Sequence, residues 1–385
     1  MKIKILHVAS FKGNIGDNAN HLGFRNKLNS LYPNIEFEFT EFEIRSTFRK
    51  EKSFNDQEFI ELANQHGMVF FGGGNFFELW VDHSYNNTSV DISIDVLKSI
   101  YKPIIFYALG FDISMGFSDS GISKFCSWLD YVVTREDFVL SLRNDGSIHT
   151  MQRILPKKYH QYFRKIPDGG FFIHKLIKSI NSKTSSNPLI GINIAGDMLD
   201  VRYHKSISNI SYTSFLEEFV LMIQNLLEHD TQLKFKFFPH IYKDYKVIND
   251  FLNVINEKYA RERILVHHYA CGDEFTLNTF QAYQECDLIL GNRFHSNVCA
   301  IGLSIPTIGL LNYSQIEYLY EDLNLSDRVV DIREKGFSKL LSNKIKESLN
   351  NKLLISENYS NTLKDMNNSL NAFLKEIVNK QINTA

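Results

Sequence analysis

The stretch that decides the fold runs from Cys286 to Leu311 and reads CDLILGNRFHSNVCAIGLSIPTIGLL. Its first apolar run, Leu288–Leu290, is too short for a helix and stops at Gly291. Polar residues then open a segment of small side chains, which Pro306 closes before a second apolar run begins. This pattern predicts a strand, a turn, a short helix and a second strand.

Two side chains that can carry positive charge lie in the predicted turn. Arg293 and His295 would stand at the carboxyl end of one strand and at the amino end of the helix. Open α/β sheets bind ligands at that edge, and helix amino termini attract anions. The pair therefore points to a phosphate or carboxylate site. A structural reading is also open, in which Arg293 pairs with a neighbouring carboxylate and His295 bonds to backbone.

The length and the pattern of the chain indicate two domains. At 385 residues the chain exceeds what one hydrophobic core usually serves. Apolar runs alternate with helix-like segments in both halves, which is typical of parallel sheets. We predict an α/β protein with two Rossmann-like, doubly wound domains facing a cleft. The predicted bounds are 1–180 for the N-terminal domain, 188–350 for the C-terminal domain and 351–385 for a helix that packs back.

Two details of the pattern complete this prediction. Tyr131–Thr134 reads as a strand, and Thr134 and Asp137 have the spacing of a capping box, which predicts that a helix begins there. The segment Lys175–Asn187 is rich in Lys, Ser and Asn and reads as the linker between the domains.

Charge, cysteine spacing and hydropathy exclude several classes of protein. The 42 Lys and Arg residues and 44 Asp and Glu residues give a formal charge of -2, so no global positive field favours nucleic acid. The four cysteines form no C-x-x-C pair, which argues against a disulfide framework or a structural zinc site. No run of about 18 apolar residues occurs, so no transmembrane segment is expected. Peripheral membrane contact stays open.

Six short motifs follow one another along the chain. They are Gly13-Asn14-Ile15-Gly16-Asp17, Gly72-Gly73-Gly74, Arg135-Glu136, Pro167-Asp168, Pro239-His240, and Gly291-Asn292-Arg293-Phe294-His295 followed by Pro306. In this order and spacing they resemble the polysaccharide pyruvyl transferase family over Met1 to about Leu325. The resemblance implies a GT-B-like fold. It also implies transfer of a pyruvyl group from phosphoenolpyruvate to a sugar of a cell-surface polysaccharide or of its lipid-linked precursor.

The resemblance implies a set of site residues as well. Arg293, Phe294 and His295 would bind the donor, and Arg135 would be a second donor contact or a catalytic residue beside His295. His240 follows a predicted strand and is a further donor candidate, because ligand contacts gather at strand ends. The acceptor would be bound by the Gly-rich turns, through Asn14, Gly16, Asp17, Gly73, Gly74 and Asn75.

These residue types suit the implied chemistry. Arginine binds phosphate and carboxylate oxygens bidentately, and histidine titrates near neutral pH and can move protons. His295 would either protonate the methylene carbon of phosphoenolpyruvate or neutralise the departing phosphate. We expect no metal and no cofactor besides phosphoenolpyruvate as co-substrate. The expected location is the cytoplasm, with the inner face of the membrane as a second option.

The chain departs from the family pattern at one place. Family members often carry a Lys shortly after the strand that follows the R-x-H helix, where this chain has Gln315. Either another cation supplies the charge, with Lys205 and Lys243 as candidates, or the donor differs. A GT-B-type glycosyltransferase using a nucleotide sugar is therefore the alternative, and a silent module that binds an anionic metabolite is a third reading.

Three acidic residues keep structural readings beside the functional ones. Asp17 is either a helix cap or an acceptor-binding base. Glu136 suits the first turn of a helix, where it would interact with the helix dipole. Asp168 suits a turn before two glycines.

Overall fold

The computed structural model describes residues 1–178 and 187–384, and the chain divides into two compact units. Unit 1 comprises Met1–Phe11, Phe24–Asp168 and Met366–Ala385, and unit 2 comprises Lys12–Gly23 and Gly169–Asp365. The predicted bounds differ in three respects. A short N-terminal segment belongs to unit 2, the main boundary precedes residue 180, and the last helix is divided between the units. The predicted linker falls mostly on residues 179–186, outside the described part.

Unit 1 contains a six-stranded parallel sheet and a two-stranded parallel ladder. Its strands are β1 (Lys2–Ala9), β2 (Glu36–Glu43), β3 (Met68–Gly72), β4 (Phe77–Glu78), β5 (Ile104–Leu109), β6 (Phe111–Asp112), β7 (Phe138–Arg143) and β8 (Phe163–Ile166). The order in the sheet is β2-β1-β3-β5-β7-β8, and β4 pairs with β6. Every residue of β3 and β5 is buried, as expected for central strands covered on both faces.

Helices connect these strands. They are α1 (Ile15–Leu31), whose first residues belong to unit 2, and α2 (Arg45–Phe48), α3 (Gln57–Asn64), α4 (Ile94–Ser99), α5 (Asp119–Val132) and α6 (Ser147–Ile154). A 3-10 helix follows at Lys157–Tyr162. The core of unit 1 is rich in aromatic rings, and Phe71, Phe106 and Trp128 pack in a chain of ring contacts.

The prediction of a strand at Tyr131–Thr134 is wrong. The structure extends α5 to Val132, because Phe125, Trp128, Leu129 and Val132 form one buried face at helical spacing. Thr134 follows the helix end, and its hydroxyl donates to the carbonyl of Tyr131 (2.7 Å). No helix begins there, and β7 starts a few residues later.

Unit 2 contains a second six-stranded parallel sheet. Its strands are β9 (Leu189–Asn193), β10 (Lys234–Phe237), β11 (Ile264–Val266), β12 (Leu288–Gly291), β13 (Thr307–Leu311) and β14 (Val329–Asp331). The order is β11-β10-β9-β12-β13-β14, which is the doubly wound Rossmann order. The strand, helix and strand predicted within Cys286–Leu311 are confirmed as β12, the helix at Phe294–Gly302, and β13.

The helices of unit 2 follow the predicted alternation closely. They are α7 (Leu199–Arg202), α8 (Tyr212–His229), α9 (Asp244–Val254), α10 (Glu257–Glu262), α11 (Asp273–Tyr283), α12 (Phe294–Gly302), α13 (Ser314–Asp322), α14 (Phe337–Asn350) and α15 (Lys352–Thr384), with 3-10 helices at Gly169–Lys175 and Ser326–Arg328. The residues of α15 up to Asp365 belong to unit 2 and those from Met366 to unit 1. Within the described ranges, no helix has the length and apolar character needed to cross a membrane.

Candidate functional site

Polar side chains gather at the carboxyl ends of β9 and β12, where the strand order of unit 2 reverses. Asn193 ends β9, and its side chain donates to the carbonyl of Phe238 (2.9 Å) and accepts from the amide of Arg293 (3.0 Å). Asn292 follows β12, accepts from the amide of Ala195 (2.9 Å) and donates to Asn312 (2.8 Å). These buried amides hold the loops after three strands in place, at the edge where open α/β sheets bind ligands.

Arg293 precedes α12 and is held by two carboxylates. Its Nε and Nη2 donate to the two oxygens of Asp244, and Nη2 also donates to Oδ1 of Asp197 (2.8 Å). Among the described residues no acceptor contacts Nη1. The expectation that Arg293 offers an open fork to a donor anion therefore needs correction. A buried acid neutralises one edge of the guanidinium, and the hydrogen bonds described for Arg293 engage its Nε and Nη2.

Asp244 is the centre of this arrangement. It lies at the start of α9, is fully buried, and accepts hydrogen bonds from the amides of Gly196 (3.0 Å), His240 (2.9 Å) and Ile241 (3.2 Å) as well as from Arg293. Burial favours a lower pKa for the Arg293 guanidinium, but the charges of Asp244 and Asp197 outweigh it and raise that pKa. Arg293 therefore stays charged at any physiological pH.

A second buried guanidinium, that of Arg202, lies in the same cluster. Its Nη1 donates to Asn312 (3.1 Å), its Nε donates to the carbonyl of Asp197 (3.1 Å), and its charged centre lies 5.4 Å from the ring centroid of Tyr313. This is the place after β13 where the family resemblance led us to expect a Lys. Lys205 and Lys243, the predicted substitutes, are both exposed and make no contact described for this cluster.

His295 lies in the first turn of α12 and is almost fully buried, with 7% of the residue exposed. Its Nδ1 is 4.0 Å from Oδ1 of Asp17. Gly16 packs directly on the imidazole, since a Cβ at that position would lie 2.5 Å from Nδ1. The first turn of α1, which contains Gly16 and Asp17, therefore contacts α12 within unit 2. This contact positions the side chain of His295.

This contact changes the interpretation of Asn14, Gly16 and Asp17. They were expected on the acceptor side of the N-terminal domain, but they belong to unit 2 and lie beside a predicted donor residue. Asp17 is also not the helix cap, because α1 already begins at Ile15. The side chain of Asn14 accepts from the amide of Gly16 (3.0 Å) instead.

His240, a predicted donor contact, is completely buried behind α12. Its Nε2 lies 2.8 Å from the hydroxyl of Tyr283, which lies 3.1 Å from the hydroxyl of Ser296. Its Nδ1 has no hydrogen-bond partner among the described residues. Burial, followed by the charges of Arg293 and His295, lowers the pKa of His240 well below its ordinary value. The imidazole is therefore neutral and has no exposed surface. It supports the site through its hydrogen bond to Tyr283.

Phe294, also predicted to bind the donor, is buried with 8% of its surface exposed. Its ring meets the imidazole of His295 edge-on, with 5.2 Å between the ring centroids. The binding of the donor by Phe294 stays a prediction.

The glycines that end β3 are explained by packing within unit 1. Gly72 and Gly73 have positive φ, and a Cβ on Gly72 would lie 2.0 Å from the carbonyl oxygen of Tyr107. A Cβ on Gly74 would lie 2.3 Å from the ring of Phe76. Protein atoms fill the space beside both glycines. The assignment of Gly73 and Gly74 to acceptor binding stays a prediction.

Asn75, the last of the predicted acceptor residues, donates through Nδ2 to Oδ2 of Asp112 (2.8 Å). Asp112 lies on β6, opposite Glu78 of β4. This hydrogen bond fixes Asn75 within unit 1, and its acceptor role is likewise untested.

The structure places Arg135 away from the ligand-binding edge of its sheet. It precedes the amino end of β7, and it donates to both oxygens of Asp137 (2.9 and 2.8 Å) and to the carbonyl of Ile100 (3.3 Å). Its charge lies 4.2 Å from the ring centroid of Phe138. These contacts give Arg135 a structural role, and its role in donor binding or catalysis stays a prediction.

Of the remaining acidic candidates, Glu136 does not have the structural role that was expected for it, whereas Asp168 has a structural role. Glu136 lies in the same connection before β7, not in the first turn of a helix. Asp168 is fully buried, its carboxylate lies 3.7 Å from Arg143, and its amide donates to Asn144 (3.1 Å). It fixes the chain at the carboxyl end of β7.

Several residues of the cluster were not assigned to the site by the sequence reasoning, among them Asn193, Asp197, Arg202, Asp244, Asn312 and Tyr283. All of these except Tyr283 end or follow β9, β10 or β13 within nine residues, so polar residues after strands could have been collected as candidates. Tyr283 ends α11 and carries no such signal. In the described parts of the chain, no group of three or more His, Cys, Asp or Glu side chains is arranged to hold a metal ion.

Solved structures resemble the chain over its whole length. A glycosyltransferase from Rickettsia africae superimposes with a TM-score of 0.56 at 10% identity, covering 98% of this chain and 99% of its own. OtsA in its apo form gives a TM-score of 0.53 at 10% identity, with coverages of 97% and 99%. At such identities the likeness shows the fold alone. It confirms two Rossmann-like units of the GT-B class, whereas the predicted cleft stays a prediction.

Sequence comparison identifies the family. No curated protein matches the chain significantly. The family model for polysaccharide pyruvyl transferase matches residues 14–315, which is more than half of the chain and includes β9, β12 and the R-x-H segment. The chain therefore belongs to the polysaccharide pyruvyl transferase family and is an enzyme with transferase activity.

Proposed function

We propose that the enzyme transfers a pyruvyl group from phosphoenolpyruvate to a sugar of a cell-surface polysaccharide or of its lipid-linked precursor, and releases phosphate. The observation that carries the proposal is the position of Arg293 and His295. Both lie at the switch point of the unit 2 sheet, in a chain of the pyruvyl transferase family. A donor with a phosphate and a carboxylate matches a site with guanidinium and imidazole groups.

The reaction has three chemical demands. A proton must reach the terminal methylene carbon of the donor, which becomes a methyl group. A sugar hydroxyl oxygen must then bond to the neighbouring carbon and lose its proton. The bond from that carbon to the phosphate oxygen must break, and the electron pair leaves with phosphate. The oxocarbenium carbon that remains either bonds to a second sugar hydroxyl oxygen, which loses its proton and closes a cyclic ketal, or loses a proton from its methyl group to give an enolpyruvyl ether.

His295 is the residue that we assign to proton transfer. Its imidazole lies in the first turn of α12, with Gly16 against one side and Asp17 at 4.0 Å from Nδ1. Asp17 favours an orientation in which Nδ1 carries hydrogen toward the carboxylate. A positioned acid of this kind contributes about 10² to 10⁴ in rate.

Arg293 contributes charge that is held in place before the donor arrives. Its link to Asp244 fixes the plane of the guanidinium, so that Nη1 keeps one direction. Preorganised donors stabilise developing charge better than donors that must reorient. The helix amino terminus of α12 adds a favourable field for an anion.

The proposal also covers location. Phosphoenolpyruvate is a cytoplasmic metabolite, so the reaction would take place in the cytoplasm. A lipid-linked acceptor would place it at the inner face of the membrane.

The test uses the purified full-length enzyme with phosphoenolpyruvate and extracts of surface-glycan precursors. We expect phosphate release that depends on both components, together with a mass increase of one pyruvyl group on a saccharide. His295→Gln should slow phosphate release by about 10² or more. His229→Gln, at an exposed position at the end of α8, should not change it.

Two outcomes would contradict the proposal. One is phosphate release that does not require a saccharide. The other is turnover of a nucleotide sugar, with thermal stabilisation by that nucleotide sugar and none by phosphoenolpyruvate. The second outcome would favour the glycosyltransferase reading.

A further inference from the structure

One carboxylate, that of Asp197, is shared by two buried guanidiniums. Its Oδ1 accepts a hydrogen bond from Nη2 of Arg293 (2.8 Å) and lies 3.5 Å from Nη2 of Arg202. Two arginines that converge on one oxygen form the kind of arrangement that proteins use for phosphate and carboxylate groups. In this chain an internal carboxylate fills that position.

Asp197 is the outermost member of the cluster. Its side chain is 23% exposed, compared with 13% for Arg293, 10% for Arg202 and 1% for Asp244. Asp244 also holds three backbone amides and cannot move without breaking them. Of the two acids, only Asp197 is placed where an incoming anion could take its position.

The backbone beside Asp197 is strained. Met198, the next residue, has φ of 52°, in the left-handed region that non-glycine residues seldom adopt, and its side chain is exposed. The loop after β9 therefore holds Asp197 against the arginines at some conformational cost.

The balance of charges in the cluster also indicates that an anion is needed at the position of Asp197. With Asp197 in place, two guanidiniums face two carboxylates. Without it, the partners described for Arg202 would be the side chain of Asn312, a backbone carbonyl and the ring of Tyr313, and none of them carries a negative charge. A buried charge with no counter-charge is costly, so the cluster requires an anion at the position of Asp197.

We propose that Arg202 and Arg293 together form the anion subsite of the donor, and that the carboxylate of Asp197 occupies this subsite until the phosphate or carboxylate of the donor displaces it. The identity of the donor rests on the proposed function, whereas the subsite itself does not. Arg202 is thereby a ligand-binding residue, and Asp197 is a competing anion built into the chain.

The decisive measurement is the affinity for inorganic phosphate, determined by isothermal titration calorimetry on the full-length enzyme. Asp197→Asn removes the competing charge, so we expect phosphate to bind about tenfold more tightly. The matched control is Asp200→Asn, which removes the same charge from an exposed position in the same turn. It should leave the affinity unchanged.

Two results for Asp197→Asn would contradict the proposal. If Asp197→Asn weakens phosphate binding, or leaves it equal to that of Asp200→Asn, Asp197 is a supporting residue and the proposal is wrong. A loss of turnover in Asp197→Asn with no change in the dissociation constants of phosphate and phosphoenolpyruvate would also overturn it, because Asp197 would then act in the chemical step.

Arg202 is tested by a graded pair of variants. Arg202→Gln should abolish measurable phosphate binding, and Arg202→Lys should retain part of it, because the charge remains but the planar fork is lost. Arg261→Gln, which removes a guanidinium from an exposed helical ion pair, is the control. Melting curves establish that each variant is folded. Unchanged phosphate affinity in folded Arg202→Gln would refute the assignment.

Phosphoenolpyruvate separates this inference from the proposed function. Tighter binding of both phosphate and phosphoenolpyruvate by Asp197→Asn supports both. Tighter binding of phosphate alone supports the anion subsite and removes the support for phosphoenolpyruvate as the donor.

Discussion

The contact between Gly16 and His295 shows how strictly single residues define this site. The two residues lie far apart in the sequence, but the glycine leaves only enough room for the imidazole. The R-x-H motif by itself does not show that the position of His295 depends on Gly16. At the residue scale, the site is a set of side chains whose positions are fixed by neighbours that carry no chemistry.

Gly16→Ala should inactivate the enzyme without unfolding it. The added Cβ would lie 2.5 Å from Nδ1 of His295, so the imidazole must move. We expect turnover to fall by about 10² or more, the contribution of a positioned acid. Steady-state phosphate release, measured beside a melting curve, checks this result.

Gly13→Ala is the control for that variant. Gly13 has φ of +87°, and a Cβ there would meet no atom within 4 Å. This substitution should lower the stability by about 1 kcal/mol through backbone strain and keep turnover. If the two variants lose turnover equally, the turn as a whole matters and the specific contact with His295 does not.

At the scale of elements, the short ladder of β4 and β6 places two acids side by side. Glu78 on β4 lies opposite Asp112 on β6, and the hydroxyl of Ser89 donates to Glu78. Burial raises the pKa of Glu78 to about 7, Ser89 lowers it in part, and Asp112 adds to the increase. The Glu78 carboxyl therefore titrates near neutral pH, well above its ordinary pKa.

The stability of the fold should depend on pH through Glu78. Its folded pKa lies above its ordinary value of 4.5, so the folded state binds the proton more tightly than the unfolded state. The contribution of Glu78 to the free energy of unfolding is therefore fully present below pH 4.5. It is lost as the pH rises through about 7. The expected contribution is at most about 3 kcal/mol.

Urea unfolding at pH 5 and pH 8 measures that effect. Glu78→Gln should remove this part of the pH dependence, because the amide does not titrate. Glu58→Gln, at an exposed position on α3, should keep it. An unchanged difference between the two pH values in Glu78→Gln would show that Glu78 does not store the proton.

At the scale of the whole molecule, the last helix connects the two units in sequence. The part of α15 from Met366 onward packs on unit 1, where Phe373 lies 6.3 Å from Tyr107 between ring centroids and Tyr32 donates to Asn379 (2.9 Å). Five apolar side chains of this part are buried: Leu370, Phe373, Leu374, Ile377 and Val378. Unit 1 is therefore completed by the end of the chain.

Removal of residues 366–385 should destabilise unit 1 selectively. Each buried apolar side chain contributes about 1.5 to 3 kcal/mol, and domains are stable by only about 5 to 15 kcal/mol. Hydrogen exchange should show loss of protection in β1 and β5, with β9 and β12 still protected. Removal of residues 381–385 alone is the control and should change neither. Equal loss in both sheets would contradict the assignment of this segment to unit 1.

The sequence by itself determined the architecture and the location of the site. Short apolar runs that stop at glycine or a polar residue are local signals, and they identified β12 and β13 of the second sheet. They also identified the strand end that carries Arg293 and His295. The wrong prediction of a strand at Tyr131–Thr134 came from the same local signal, because a short apolar run at the end of a helix resembles a strand.

Only the tertiary structure decided which groups meet at the site. Asn193 and Arg293 are 100 residues apart, and the strand order brings β9 beside β12. The same order brings Asp244 and Asp197 to the guanidinium of Arg293, and it leaves Arg135 at the amino end of β7. Periodicity in a sequence records which face of an element is buried, but the partner of a buried charge depends on how the strands are ordered in space.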